Sequence, residues 1–296
     1  MNGNRKRFCG QAGERKIGEH LMGAVFLAAA CISILCVALI CVFLFANGVP
    51  AIGKIGPLRF FTGTLWKPGS GIYGIAPMIL GSLYVTAGAV VVGVPPGILC
   101  AVFMARFCPA RLHSIAAPAV TLLSGIPSVV YGFLGLTVLV PATRFLGAGN
   151  GKSILTASIL LGIMILPTII SVSEAALRAV PESYYEGALA LGASREEAVF
   201  FAQVPAAGSG IMAGVILGIG RAIGETMAVI MVAGNQPVVP SSLFEGARTL
   251  TANIVLEMGY AADLHREALI ATAVALFVFI LLINLLFAMS KARQQV

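Results

Sequence analysis

Charge is what this sequence has least of. Only 10% of its 296 residues are Asp, Glu, Lys or Arg, against 58% hydrophobic, and the mean hydropathy is +0.97. Soluble domains carry about 25% charged residues. A globule in water is therefore excluded, because the polar surface cannot cover it; the surplus apolar surface has to face lipid. Cysteine is also sparse and shows no pairing pattern. Cys31, Cys36 and Cys41 lie in one apolar run, Cys9, Cys100 and Cys108 are scattered, and no CxxC occurs. Neither a metal site nor a disulfide framework is indicated, and these residues read as small apolar side chains within spans. His20, His113 and His265 are too dispersed to form a ligand set by spacing. The net charge of +7 comes without a basic patch interleaved with aromatics, so nucleic acid is not the expected partner.

Catalytic and nucleotide motifs are missing too. No HExxH and no GxSxG appears. Gly147-Ala-Gly-Asn-Gly-Lys-Ser153 looks like a phosphate-binding loop, but that pattern needs glycine where Leu146 stands. Gly69-Ser-Gly-Ile-Tyr-Gly74 matches GxGxxG literally, yet it precedes an apolar span instead of following a strand, and it reads as a flexible loop. ATP hydrolysis or other hydrolase chemistry within this chain is not expected, nor is any cofactor or metal.

What is present is a series of long apolar runs. A membrane span needs about 20 such residues. Six are expected, at about Met22–Ala46, Ile75–Met104 (broken by Pro95-Pro96), Ser114–Val140 (with Pro118 and Pro127), Ile154–Val172 (with Pro167), Gly208–Ala233 and Ala268–Met289. Prolines inside spans point to a kinked bundle in which neighbouring helices satisfy the freed backbone groups. Ala28-Ala-Ala-Cys31 faintly resembles a lipoprotein cleavage site, but the apolar run continues for 15 residues beyond Cys31, so it reads as a span.

With the N-terminus inside, cytoplasmic segments hold 11 Lys and Arg residues and outer loops hold 7, with Arg221 inside a span. This bias places both termini in the cytoplasm. The expected order is a basic cytoplasmic tail (1–20), a first span (21–47), an extracytoplasmic loop (48–73), a transmembrane core (74–290) with one long cytoplasmic loop at 174–207, and a short cytoplasmic tail (291–296).

That cytoplasmic loop has helix punctuation. Ser183-Tyr-Tyr-Glu186 fits a capping box and predicts a helix to Leu191, ended by Gly192 in a left-handed turn. Ser194-Arg-Glu-Glu197 fits a second capping box, opening a helix to about Gln203 that Pro205 stops. The two short helices form either a docking knob or a pair resting on lipid headgroups.

Inside the fifth span, Arg221 and Glu225 stand at i and i+4, with Gly214 and Gly218 on the same face. A charge at mid-membrane costs about 2.5–3.5 kcal/mol on insertion scales, so both residues are expected to face the interior or a water-filled path. They mark a transport pathway or else an internal salt bridge that holds the bundle together. The third span contains Ser124-Gly-Ile-Pro-Ser-Val-Val-Tyr-Gly132. A broken helix lining a cavity would use the hydroxyls of Ser124, Ser128 and Tyr131, and so would an ordinary kink.

The loop resembles the EAA loop of the integral subunits of bacterial ABC importers, whose pattern is EAAxxxG, nine residues, then IxLP. Here it reads Glu186-Gly187-Ala188, Gly192, then Ala202-Gln203-Val204-Pro205. Gly187 departs from alanine, and Ala202 and Val204 from isoleucine and leucine. The literal Glu174-Ala-Ala176 is out of frame, because Val180 takes the glycine position. Gly125-Ile-Pro-Ser-Val-Val-Tyr-Gly132, Gly218-Ile-Gly-Arg-Ala-Ile-Gly-Glu-Thr-Met-Ala228 and the run from Met227 to Asn235 are similar to PstC-type permeases of phosphate importers. So are Leu65-Trp66-Lys-Pro68 and Gly74-Ile-Ala-Pro77.

The resemblance implies an all-α fold with a five-span type I ABC importer permease core plus one N-terminal span, in the bacterial inner membrane. It implies inward translocation of inorganic phosphate, driven by ATP hydrolysed on a separate subunit. It implies a PstA-type second permease, two ATP-binding subunits docked on the loop through Glu186, Gly187, Ala188, Gly192 and Pro205, and an extracytoplasmic phosphate-binding protein. The substrate pathway would run past Arg221, Glu225, Gly218, Ser124, Ser128 and Tyr131. Permeases for sulfate, molybdate or phosphonate are the near alternative. A proton-coupled secondary transporter using Glu225 is the distant one, and the internal repeats usual in such folds are not found.

Overall fold

The computed structural model describes residues 5–147 and 149–293. The chain is helical almost throughout. Helix α1 spans Arg5–Ile55, α2 Pro57–Thr62, and the two-residue strands β1 (Trp66–Lys67) and β2 (Ile72–Tyr73) form a small antiparallel hairpin. Then follow α3 (Ala76–Val102), α4 (Ala110–Gly125), α5 (Ser128–Leu134), α6 (Val140–Phe145) and α7 (Ile154–Ala179). The connection after α7 holds α8 (Ser183–Ala190), α9 (Arg195–Glu197) and α10 (Val204–Ala206). The chain finishes with α11 (Gly208–Gly224), α12 (Met227–Val232), α13 (Leu250–Glu257) and α14 (Asp263–Arg293). Wider π-helical turns continue α3 over Phe103–Phe107, join α5 to α6 over Gly135–Leu139 and join α9 to α10 over Ala198–Gln203.

Among the described residues, five helical stretches are long and apolar enough to cross a membrane: Met22–Ile55, Ala76–Phe107, Ser128–Phe145, Ile154–Ala179 and Asp263–Leu285. A sixth is made if the pair Arg195–Ala206 and Gly208–Gly224, bent by 70°, counts as one span. The first span runs eight residues past the expected end at 47, carrying Pro50 within it. Helix α3 passes through Pro95 and Pro96 without a break, and α7 passes through Pro167. Packing against neighbouring helices holds them straight enough to continue. Helix α7 also runs on to Ala179, so Glu174-Ala-Ala176 is part of a span and the loop begins at Val180. Of the expected tails 1–20 and 291–296, residues 1–4 and 294–296 lie outside the described residues, and the remainder continue α1 and α14.

Two expected spans are broken. The third parts between Gly125 and Ser128, where Ile126 and Pro127 are extended, and its crossing piece shifts to Ser128–Phe145. Proline disfavours a helical residue before it and has no N–H for the ladder, which explains the break. The fifth ends at Gly224, where Glu225 turns extended (φ −70°, ψ 132°).

Helix α7 is the axis of the bundle. Ala157, Leu160, Leu161, Met164, Ile165 and Ile169 are buried in one cluster with residues of α3, α11 and α12. Close approach depends on small residues: a Cβ at Gly93 of α3 would stand 2.7 Å from the Gly162 carbonyl oxygen of α7. Helix α1 is the opposite case. Its most apolar stretch buries none of its residues, and among the described side chains it meets the bundle near its end, where Gly48 lies against Val274 and Ala271 of α14 and Phe45 meets Phe277 edge-on at 5.8 Å.

Candidate functional site

The connection between α7 and α11 is a built knob. Gly192 has φ +91°, a conformation open to glycine and strained for other residues. Around it the Gly192 amide donates to the Leu189 carbonyl at 2.9 Å and the Ala193 amide to the Ala188 carbonyl at 3.1 Å. This is the Schellman pairing that ends a helix. The second capping box forms as expected: the Ser194 hydroxyl accepts from the Glu197 amide at 3.3 Å, and the Glu197 carboxylate accepts from the Ser194 amide at 2.8 Å. These bonds hold the Glu197 carboxyl below its ordinary pKa.

Two local expectations fail. Ser183 does not cap α8. The turn already begins at Pro181, whose carbonyl accepts from the Tyr184 amide at 3.2 Å, and Glu182 takes the cap position, so Ser183 is already helical. Pro205 does not stop its helix either. The π-helical turn at Ala198–Gln203 precedes it and the helix continues through Ala206; the wider turn relieves the clash that proline makes with the preceding turn. The knob leaves apolar tips in the open: Leu191 is 92% and Phe201 80% exposed. Glu186 and Gly187 are exposed beside them. A pocket of about 350 Å³ lies at its root, lined by Val180, Pro181, Tyr184, Ala207 and Gly210 among others.

The two helix breaks lie on packed neighbours. Helix α5 rests on α12, and a Cβ at Gly132 would meet the Met231 sulfur at 2.7 Å and the Ala228 Cα at 3.0 Å. Tyr131 and Ala222, the neighbour of Arg221, are buried in one cluster. The Tyr131 hydroxyl donates to the Leu123 carbonyl at 2.8 Å, satisfying a backbone group that the break sets free. Ser128 is half-buried and Ser124 exposed at the same break.

The expected Arg221–Glu225 pair does not form. Glu225 lies beyond the end of α11, so the i, i+4 relation of a continuous helix no longer holds. Its carboxylate instead accepts from the amides of Thr226 (3.1 Å) and Ala228 (3.3 Å) at the start of α12. Arg221 donates to the Thr168 hydroxyl of α7 at 3.4 Å and remains half-buried. Gly214 and Gly218 pack close on α7, opposite Val172, Ser173 and Ile169. They permit helix approach and leave no solute space on that face.

Sequence reasoning missed two polar clusters. On the side opposite the knob, buried Glu257 accepts from the Trp66 indole at 2.8 Å, from His265 at 2.9 Å and from Arg248. Arg248 also donates to the Asn235 carbonyl and the Asn253 side chain, both at 3.0 Å. Tyr73 stacks on His265 at 6.2 Å. Burial alone would raise the Glu257 pKa, but the bonds from Trp66, His265 and Arg248 outweigh it and hold the carboxyl below its ordinary range. We call this assembly the cap. Beside it lies a groove of about 420 Å³ lined by Pro68, Gly69, Glu257, Tyr260, Ala262 and His265. On the knob side, Arg106 reaches Glu182 at 2.8 Å, and Glu174 joins His113 at 2.7 Å and Arg178 at 2.9 Å. The lone Trp66 was the one available signal for the cap, and nothing in spacing links it to residues so far along the chain.

A bundle of broken apolar helices around one buried axis, with a capped helical knob on one side, defines the class: a multi-pass helical membrane permease. Residues 97–296 match the family described as "Binding-protein-dependent transport system inner membrane component", and the chain belongs to that family. The chain is 41% identical over 260 residues to the "Probable ABC transporter permease protein YqgH" of Bacillus subtilis, covering 84% of each. It is 36% identical over 261 residues to the "Phosphate transport system permease protein PstC" of Mesorhizobium japonicum, covering 81% of this chain and 80% of that one. A chain of the MetNI methionine ABC transporter, solved in an inward facing conformation, has the same fold at 18% identity, with a TM-score of 0.61 over 78% of this chain and 99% of that one.

Proposed function

We propose that this chain is a permease subunit of an ATP-driven importer that carries inorganic phosphate into the cell. The observation that carries this reading is the match, over four-fifths of the chain, to a permease named for phosphate transport. The knob lies in the cytoplasm with both termini, and the cap faces outward. ATP is hydrolysed on two separate subunits, whose surface covers the apolar tips Leu191 and Phe201 around Gly192. A second permease of the PstA type packs on the unpartnered face of α4 and α5, where Leu122 and Phe133 are 73% and 60% exposed. An extracytoplasmic phosphate-binding protein delivers the substrate to the cap side.

Arg221 serves the passing anion. A half-buried guanidinium offers two parallel donors to an oxyanion, and among the described residues its one bond is the long one to Thr168. Ser124 and Ser128 supply hydroxyls at the neighbouring break, Tyr131 stabilises that break, and Glu225 braces the start of α12. In reconstituted vesicles with its partner subunits, ³²P-phosphate uptake is expected to be lost in Arg221→Gln and reduced in part in Arg221→Lys, which keeps the charge and loses the fork. Normal uptake in Arg221→Gln removes the pathway role. Faster ATP-dependent uptake of sulfate or molybdate than of phosphate replaces the substrate.

A further inference from the structure

The break after Gly224 divides the fifth span into two pieces with different attachments. Helix α11, on the knob side, packs through Gly214 and Gly218 on α7. Helix α12 also touches α7, and its last carbonyl, Val232, accepts from the Ser153 amide at the start of α7 at 3.1 Å, but it has further fastenings toward the cap. At its start, the Thr251 hydroxyl of α13 donates to the Glu225 carbonyl at 3.1 Å, in a site where Thr251 is only 8% exposed. Just past its end, the Asn235 side chain donates to the Ile230 carbonyl at 2.7 Å, and the Asn235 carbonyl accepts from Arg248. Helix α13 is in turn fixed at both of its own ends. Its first turn is capped by Thr249, and the Leu250 amide donates to Ser82 of α3 at 3.0 Å. Its last residue is Glu257, the carboxylate on which Trp66, Arg248 and His265 converge.

Eight residues of helix are about 12 Å long, so α13 is a short rigid rod. One end sits in the cap and the other touches the break. The residues of the break are its soft point: Glu225 is extended and Thr226 has φ −122° and ψ −58°, so the regular helical ladder stops there. The bonds that cross the join are long, from the Glu225 amide to the Ala222 carbonyl at 3.4 Å and from the Thr226 hydroxyl to the Gly224 carbonyl at 3.3 Å.

We propose that α12, α13 and the cap form one mechanical body hinged to α11 at Glu225–Thr226, and that Thr251 is the positioning residue that sets the hinge. Displacement of the cap from outside then reorients the break beside Arg221, with the buried Thr251 hydroxyl as the contact that reaches the break itself. The inference rests on the pathway reading for its functional consequence, whereas the hinge itself is a matter of geometry.

The test uses the assembled complex in lipid, with spin labels at Tyr260 on the cap and Leu217 on α11, both exposed positions. Thr251→Val keeps the shape and removes the donor; Thr251→Ser keeps the donor. The Tyr260–Leu217 distance distribution is expected to broaden in Thr251→Val and to return to the wild-type distribution in Thr251→Ser. Stimulation of ATP hydrolysis by the loaded binding protein is expected to fall about fivefold in Thr251→Val, the size of one hydrogen bond, with basal hydrolysis and thermal stability retained. An unchanged distance distribution in Thr251→Val overturns the hinge. Equal loss of basal and stimulated hydrolysis, unrescued by Thr251→Ser, makes Thr251 a structural residue and overturns its positioning role. A broadened distribution in Thr251→Val together with normal phosphate uptake in Arg221→Gln preserves the hinge and removes the pathway reading.

Discussion

The knob and the cap are both polar assemblies at the ends of an apolar bundle, and they are built on opposite principles. The turn and cap of the knob are set by neighbours in sequence, although its buried side, with Val199, packs on Ala101 and Val102 of α3. Ser194 and Glu197 are three residues apart, and the bonds around Gly192 reach back no further than Gly187. The cap is held by residues that meet only after folding. Trp66 and Glu257 are 191 positions apart, and Lys54 and Glu267, paired at 2.7 Å on the same side, are 213 apart. The turn and cap of the knob can therefore form locally and present exposed apolar tips to another subunit. The cap cannot exist before the bundle does, because its members are brought together by α1, α3, α13 and α14. A local unit suits a part that has to be gripped. A long-range network suits a part that reports on the arrangement of the whole.

The sharpest way to break this comparison is at Glu257. Glu257→Leu leaves Arg248, whose side chain is 14% exposed, without its carboxylate, and stability in detergent should fall by about 3 kcal/mol or more. The same substitution tested on the knob side, Glu182→Leu, removes an exposed partner of Arg106 and should shift the melting temperature little. Equal losses would erase the distinction.

Acid should act on the cap in the same direction. The Glu257 pKa is lowered on folding, so its stabilising contribution is fully present above the ordinary carboxylate range and is lost as pH falls through the depressed folded value. The melting temperature of the wild type should therefore drop on acidification from about pH 5 downward, and the Glu257→Gln variant should show a shallower drop. Identical pH profiles would remove Glu257 from the account.

Gly192→Val tests the knob itself. A β-branched residue at φ +91° is strained by roughly 1–2 kcal/mol, and the turn should open or reorient. Uptake by the assembled complex should fall about tenfold while membrane abundance stays normal. The smallest effect is expected for Ser194→Ala. Losing this cap costs about 1 kcal/mol locally, so amide hydrogen exchange over Arg195–Gln203 should quicken several-fold with the global melting temperature unmoved. A global loss in Ser194→Ala would show that the knob is not a local unit.

Which features were legible in the sequence follows the same division. The Gly192 turn and the Ser194–Glu197 box were legible because capping is a contact within four residues. Ser183 misled because Pro181, two residues earlier, already starts the turn, and a helical serine has no free amide to cap. The run from Gly208 to Ala233 reads as one helix because nothing between Gly224 and Met227 forbids it. Its interruption, which removes the Arg221–Glu225 pair, comes from what surrounds it: amides of α12 that need a carboxylate and a Thr251 hydroxyl that takes the Glu225 carbonyl.

By itself the sequence determined that the chain is a multi-span helical membrane protein, where its spans roughly lie, and that one connection carries a capped, glycine-ended knob. Each of these depends on composition or on contacts between residues a few positions apart, which the chain order records directly. Tertiary structure decided that α7 is the axis, that the fifth span breaks after Gly224, and that Trp66, Arg248, Glu257 and His265 meet in one network. Those outcomes depend on which helices lie side by side. In a chain so uniformly apolar, every span can bury or expose its faces at similar cost. The choice therefore falls to small-residue contacts such as Gly93 against Gly162 and Gly132 against Ala228, and to buried polar groups that find partners in only one arrangement.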